Sequence, residues 1–200
     1  MQIFEYGSNE IAHLKRKDKK LAAAIDSIGM IQREITPDPF TALVSSIVSQ
    51  QISKKAAETV WNRLSVIVGR ITPENIVRVS LTDIQSCGIS IRKAGYVQEF
   101  ANATIAGVVN FDKLHTLSDE EIIKKLSSLH GVGVWTAEML LIFSLCRPDV
   151  VSYGDLAVRR GMMNLYGLKV LTKEKFDRYR KRYSPYGSVA SLYLWELSVI

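Results

Sequence analysis

Apolar residues recur three and four positions apart along most of this chain, and no stretch alternates with period two. That spacing predicts amphipathic helices and no sheet. Ser8 can cap a helix that runs through the basic segment Lys15-Arg16-Lys17-Asp18-Lys19-Lys20 to Ser27, with Gly29 as its stop. Thr36-Pro37-Asp38-Pro39 is a breaker, after which Asp38 and Pro39 open a helix carrying Phe40, Leu43, Ile47 and Val48. Ser53 caps the next, through Trp61 and Leu64 to Gly69. Thr72-Pro73 and Thr82 each start a short helix, and Ser90 starts one reaching about Ile105. Ser118-Asp119-Glu120-Glu121 is a capping box. Residues 135–145 are apolar on nearly every side, which predicts a buried central helix ended by Arg147-Pro148-Asp149. Asp155 and Thr172 open two further helices, and Pro185 precedes a last one through Leu192, Trp195 and Leu197. The predicted class is all-α, roughly ten short helices without a low-complexity tract or strong repeat.

Between two of these helices lies Leu129-His130-Gly131-Val132-Gly133-Val134-Trp135-Thr136-Ala137. It reads as a tight helix–hairpin–helix turn whose two glycines allow positive φ, so that successive N–H groups turn outward. The helix beginning near Trp135 adds the positive end of its dipole. Such a concavity suits a phosphate and reads nucleic acid by its backbone alone. Asp155 follows one helix and one loop later; by itself, an Asp ahead of a helix is a routine N-cap.

Composition narrows the classes. With 47% hydrophobic residues, 200 residues can bury a core as one domain or as two lobes sharing a cleft. Lys and Arg number 26 against 20 Asp and Glu, a net charge of +6 that suits a polyanionic partner without proving one. Cys87 and Cys146 stand far apart, which argues against a disulfide framework, a zinc site or an iron–sulfur cluster, and His13, His115 and His130 share no metal-ligand spacing. Met1-Gln2-Ile3-Phe4-Glu5 does not begin a secretory leader, and no run approaches membrane-spanning length. The expectation is a soluble cytoplasmic protein, nucleoid-associated or nuclear according to its host, that is monomeric, has no membrane partner and requires no cofactor. The basic cluster Lys169, Lys173, Lys175, Arg178, Arg180, Lys181 and Arg182 is as readily a solvated helix face as a DNA contact.

The hairpin segment 129–137 with Gly154-Asp155 downstream resembles the helix–hairpin–helix (HhH-GPD) DNA glycosylase superfamily, and within it the 3-methyladenine DNA glycosylase II group. Ser49-Gln50-Gln51-Ile52-Ser53-Lys54-Lys55-Ala56-Ala57 resembles that group's lesion-side helix pair, and Tyr183-Ser184-Pro185-Tyr186 with Tyr193-Leu194-Trp195 its C-terminal aromatic segment. The match covers about residues 37–200, in the expected order, and looks like the compact form without an N-terminal β domain. The resemblance implies a two-lobed fold with a central cleft: one unit over 1–200, a central lobe over 37–147 including the hairpin, and a second lobe from 1–36 and 148–200.

The same resemblance implies the roles. Asp155 is the expected catalytic carboxylate, stabilising oxocarbenium character as an N-glycosidic bond breaks. Trp135 stands where bifunctional glycosylase-lyases carry a Schiff-base lysine, so the expected enzyme is monofunctional and leaves an abasic site. Trp135, Trp195, Met139 and Tyr153 are the candidate lesion contacts, where stacking and cation–π attraction would favour an electron-deficient base. For either tryptophan, ordinary core packing is the competing reading. Met139 and Leu156 replace aromatic residues of the group, a departure that bears on lesion range. Gln51 falls at the intercalating wedge position, or is simply an exposed turn residue. Gly131, Gly133 and Thr136 are the candidate DNA contacts. Ser127, Leu129 and Val132 are the positions whose backbone carbonyls would hold a structural Na+ or K+. The expected partner is double-stranded DNA with damaged bases and the expected activity excision of alkylated bases in base excision repair. A glycosylase for a deaminated or oxidised base, or a noncatalytic damage-binding protein, is the alternative.

Overall fold

The computed structural model describes residues 2–199. They form twelve α-helices and one 3-10 helix; the only β pairing among the described residues is a single antiparallel bridge between Ile3 and Glu34. In chain order the helices are α1 (Ser8–Lys17), α2 (Lys19–Ile28), α3 (Pro39–Ser49), α4 (Lys54–Val68), α5 (Pro73–Arg78), α6 (Leu81–Ser86), α7 (Ile91–Ile105), α8 (Asp119–Ser127), α9 (Val134–Phe143), α10 (Leu156–Tyr166), α11 (Lys173–Tyr183) and α12 (Gly187–Leu197). The 3-10 helix is Phe111–Thr116, between α7 and α8, where no apolar periodicity announces it. No helix among the described residues is long and apolar enough to cross a membrane.

Most helix starts lie where the polar punctuation predicts them. Asp38, Ser53, Thr72, Ser90, Ser118 and Thr172 each accept a first-turn amide with the side chain. Two starts differ. The sixth helix is capped by Ser80, which accepts from the Asp83 amide, so Thr82 lies inside it. Gly7, and not Ser8, precedes α1, and the Glu10 carboxylate reaches back to its N–H at 2.8 Å.

The chain forms two compact units, Met1–Ile35 with Leu141–Ile200, and Thr36–Leu140. The sequence reading placed the second boundary at the Arg147-Pro148-Asp149 stop; by contacts it falls inside α9, because a breaker marks where a helix ends and not where its packing partners change. In the second unit, Phe40 stacks on Phe100 at 4.9 Å, and Phe111 meets both rings edge-on at 6.1 and 5.4 Å. Around this aromatic centre, Leu43, Ile47, Leu64, Ile76, Ile84, Val97, Ile122 and Leu126 are buried.

In the first unit the expected single helix over 8–27 is broken in two. Asp18 is the cause: it interrupts the basic run, is buried, and caps α2 by accepting from the Lys20 and Leu21 amides at 3.0 Å. Its other oxygen accepts from the Tyr166 hydroxyl at 2.6 Å and from Arg182 at 3.0 Å. Tyr166 in turn meets the Tyr183 hydroxyl at 2.8 Å and stacks on Tyr179 at 3.7 Å. Much of the basic α11 is thus engaged: Arg182 pairs with Asp18, Lys173 with Asp177, and Arg180 donates to the Asp149 carbonyl. The close fit of α10 on α12 depends on Gly161, where a Cβ would stand 1.8 Å from the Leu194 carbonyl oxygen.

Burial works against ionisation of Asp18, yet the donors from Tyr166, Leu21 and Arg182 prevail and hold its pKa below the ordinary 3.8. A carboxyl with a depressed folded pKa binds fewer protons folded than unfolded, so its contribution is present above the ordinary pKa and is lost as pH falls through the folded one. Asp18→Asn should lower stability by about 1.5–3 kcal/mol at neutral pH, the range for hydrogen bonds to a charged group. Denaturant titrations from pH 7 to pH 2.5 should show the difference between wild type and variant shrinking below pH 3.8; a constant difference would contradict this role.

Candidate active site and nucleic-acid interface

Asp155 is only 7% exposed, and its environment explains why a carboxylate can sit there. It is the N-cap of α10, with Oδ1 accepting from the Ala157 and Val158 amides at 2.8 and 2.9 Å. Oδ2 accepts from the Trp195 indole N–H at 3.2 Å. Capping and chemistry are therefore not alternatives here: one oxygen anchors the group and the other is held by a side chain of α12. The Gly161–Leu194 approach sets this up, since Trp195 immediately follows Leu194 and the two helices must lie close for the indole to reach.

Trp195 is half-buried and its ring packs against Phe143 at 5.3 Å. The sequence assigned it to lesion stacking; the structure adds a hydrogen bond to the carboxylate that sequence could not supply. Tyr153 is half-buried, with Phe176 edge-on at 5.1 Å and the Arg159 and Lys173 cations over its ring at 5.2 and 5.4 Å. Leu156, next to Asp155, is exposed.

In the other unit, Trp135 opens the first turn of α9 and is 42% exposed. The prediction of a helix buried on every side fails at this end: Val134 and Trp135 are exposed, whereas Ala137, Leu140, Leu141 and Ile142 are buried. Uniform apolarity carries no phase, so periodicity could not tell which turn is open. Met139, one turn on, is half-buried. Thr136, expected as a DNA contact, is buried inside α9, so its side chain is not open to a backbone approaching from outside.

The hairpin glycines differ from each other. Gly131 has φ +81°, and a Cβ there would lie 2.4 Å from the Tyr96 ring. Gly133 has no positive φ and nothing within 4 Å of a would-be Cβ. Only Gly131 therefore has the conformational reason the sequence suggested for both. Gly133 is exposed, its carbonyl accepts the Ala137 amide to start α9, and it leaves the rim of the hairpin clear for a backbone to approach.

The turn between α3 and α4 presents Gln51, exposed and at φ +57°. Gln50 beside it, which sequence reasoning passed over, donates its amide to the Gly131 carbonyl at 2.9 Å. Lys93 was missed as well: its ammonium donates to the Val48 and Gln50 carbonyls at 3.0 and 2.5 Å, and burial draws its pKa below the ordinary value. Neither residue carries a local signal, because both act on chain segments far away in sequence. No group of three or more His, Cys, Asp or Glu side chains placed to hold a metal occurs among the described residues.

Asp155 is thus an oriented carboxylate with an aromatic N–H donor on it, and in the other unit the hairpin presents an exposed rim. Residues 44–185 match the model of the HhH-GPD superfamily base excision DNA repair proteins, and the chain belongs to that family. It is 37% identical over 166 residues to DNA-3-methyladenine glycosylase 1 of Schizosaccharomyces pombe, covering 80% of this chain and 73% of that one. Alkylbase DNA glycosidase-like protein mag2 of the same yeast is 25% identical over 193 residues, 92% of this chain and 91% of its own. Among solved structures, the DNA-3-methyladenine glycosidase of Bacillus halodurans superposes with TM-score 0.88 at 37% identity, covering 99% of this chain and 93% of that one. The Schizosaccharomyces pombe 3-methyladenine DNA glycosylase in complex with abasic DNA gives TM-score 0.85 at 32% identity, covering 96% and 98%.

The contrast between the glycines is testable. Gly133→Val should lose only the modest stability expected of valine at a helix N-cap, and weaken binding to damaged and undamaged duplexes by the same factor, on the order of tenfold or about 1.4 kcal/mol. Gly131→Val should lose more stability, because the left-handed conformation and the Tyr96 ring both oppose it. Equal affinity for Gly133→Val and wild type would remove the hairpin rim from the DNA interface.

Proposed function

We propose that this protein is a monofunctional DNA glycosylase that flips an alkylated base, of the 3-methyladenine type, out of duplex DNA and hydrolyses its N-glycosidic bond. The observation that carries the reading is Asp155: buried, anchored by the α10 amides and held on its second oxygen by Trp195. The chain's family and the alkylation-repair names of its relatives support the same conclusion.

In this mechanism the bond between C1′ and the base nitrogen breaks with its electron pair going to the base. A purine alkylated on a ring nitrogen already carries positive charge, so it leaves neutral without needing a proton. Positive charge develops on the sugar, where a carboxylate fixed by three N–H donors stabilises it without having to reorganise. Water then adds its oxygen to C1′ and gives up a proton, for which Asp155 is the acceptor, leaving an abasic site. Trp135 offers no amine and forms no imine with the sugar, so the backbone is left intact. Its exposed ring is a surface on which an electron-poor base can stack, favoured by cation–π attraction. Gln51 would enter the space the extruded nucleotide vacates. The chain would act as a monomer. Backbone carbonyls of Ser127, Leu129 and Val132 are hard oxygen donors suited to a monovalent cation beside the hairpin; the Leu129 oxygen also accepts from the Val132 amide at 3.2 Å.

Asp155→Asn retains a carbonyl oxygen able to cap α10 but loses the charge. Single-turnover release of methylated bases, identified by mass, should fall by about 3 kcal/mol or more of barrier, while affinity for the lesion duplex persists. Undiminished release by the folded variant would refute the role of Asp155, and a wild type that binds lesions but frees no base would favour the damage-binding alternative. Borohydride added during wild-type turnover should trap no covalent protein–DNA adduct; an adduct mapped to a lysine would refute the monofunctional assignment.

A further inference from the structure

Extruding a nucleotide leaves a gap in the base stack, and a side chain driven into that gap is pushed back by the duplex. A tip that does this must be stiff, or the turn yields before the bases part. In the α3–α4 turn Ser53 caps the start of α4, but α3 ends on Gln50 without a glycine cap. The turn's exposed residue Gln51 sits in the left-handed region at φ +57°, a conformation that is unfavourable for an ordinary residue and persists only where the surroundings enforce it.

The enforcement comes from elsewhere in the chain. Lys93, on α7, sends its ammonium to the carbonyls of Val48 and Gln50, at the end of α3 where the helix dipole is negative. Gln50 in turn donates to the Gly131 carbonyl of the hairpin, and Gly131 lies against Tyr96, one turn along α7 from Lys93. His130 completes the attachment through Glu99, a further turn along the same helix, at 2.9 Å. The residues Lys93, Tyr96 and Glu99 recur every three positions, so one face of α7 holds both the turn and the hairpin.

We infer that Lys93 is a positioning residue for base extrusion: with Gln50 it locks the tip carrying Gln51 to the phosphate-binding hairpin, so that gripping the backbone and penetrating the stack become a single motion. This rests on the proposed glycosylase function. A residue acting this way matters in proportion to the work of opening the duplex, whereas a residue serving only the fold affects every substrate alike.

The experiment compares two substrates with the same strand carrying one 7-methylguanine, opposite either cytosine or an abasic analogue that leaves the lesion unpaired. The readout is the ratio of single-turnover release from the paired and the unpaired lesion. Lys93→Met should lower that ratio about tenfold or more, since only the paired lesion must first be unpaired. Gln51→Ala should lower it similarly, the double variant no further, and Lys93→Arg should restore most of it. Gln50→Leu removes the link to Gly131 without leaving a buried charge, and should lower the ratio even if Lys93→Met fails to fold. A ratio unchanged in Gln50→Leu and in Lys93→Met, or in Gln50→Leu alone where Lys93→Met does not fold, while wild type releases base from both substrates, would overturn the inference alone. A wild type that releases nothing from either would overturn the functional reading with it.

Discussion

A carboxylate can be taken out of water only if donors replace the water, and this protein meets that demand twice in the same way. Asp18 and Asp155 each use Oδ1 to cap a helix through two successive amides and Oδ2 to hold a side chain from a distant helix. The arrangement binds chain segments together: Asp18 ties α2 to α10 and α11, and Asp155 ties the start of α10 to α12. What differs is the partner. Asp18 faces a tyrosine and an arginine, which suits a structural anchor, whereas Asp155 faces the polar edge of an indole whose body is hydrophobic. Orientation, supplied by the cap, is what a preorganised catalytic charge requires.

Close approach is the second constraint. Gly161 admits the Leu194 carbonyl to a distance no side chain would tolerate, and that proximity brings Trp195 within reach of Asp155. Gly131 does the corresponding service in the other unit, where the missing Cβ lets the hairpin lie on Tyr96. Glycine acts in both places by subtraction, and in both the consequence is the position of a neighbouring functional group. Gly133 shows the opposite case: neither a positive φ nor a close neighbour requires glycine there.

The chemistry proposed for this site asks little of the base and much of the surroundings. A cationic purine is a competent leaving group, so discrimination rests on extrusion and on the surface that receives it. In the proposed mechanism Trp135 would supply such a surface at an exposed helix start, with no amine to form an imine.

The sequence by itself determined the helical class and nearly every helix start, because capping is local: Asp38, Ser53, Ser90 and Ser118 act on amides two or three residues away. It also determined the family, whose marks lie in the hairpin and the segment that follows it. It misread the helix over 8–27, where the surrounding lysines and arginines concealed an aspartate whose partners lie more than a hundred residues away. The buried side of Thr136 and the open side of Trp135 were likewise beyond it, because a helix apolar all round has no preferred face. Only the tertiary structure decided that Trp195 holds the Asp155 carboxylate, and that Lys93 and Gln50 join the turn to the hairpin. Those bonds link residues from 40 to 81 positions apart. Their strength depends on donor and acceptor meeting within about 3 Å, a condition that packing sets and that no local pattern of residues encodes.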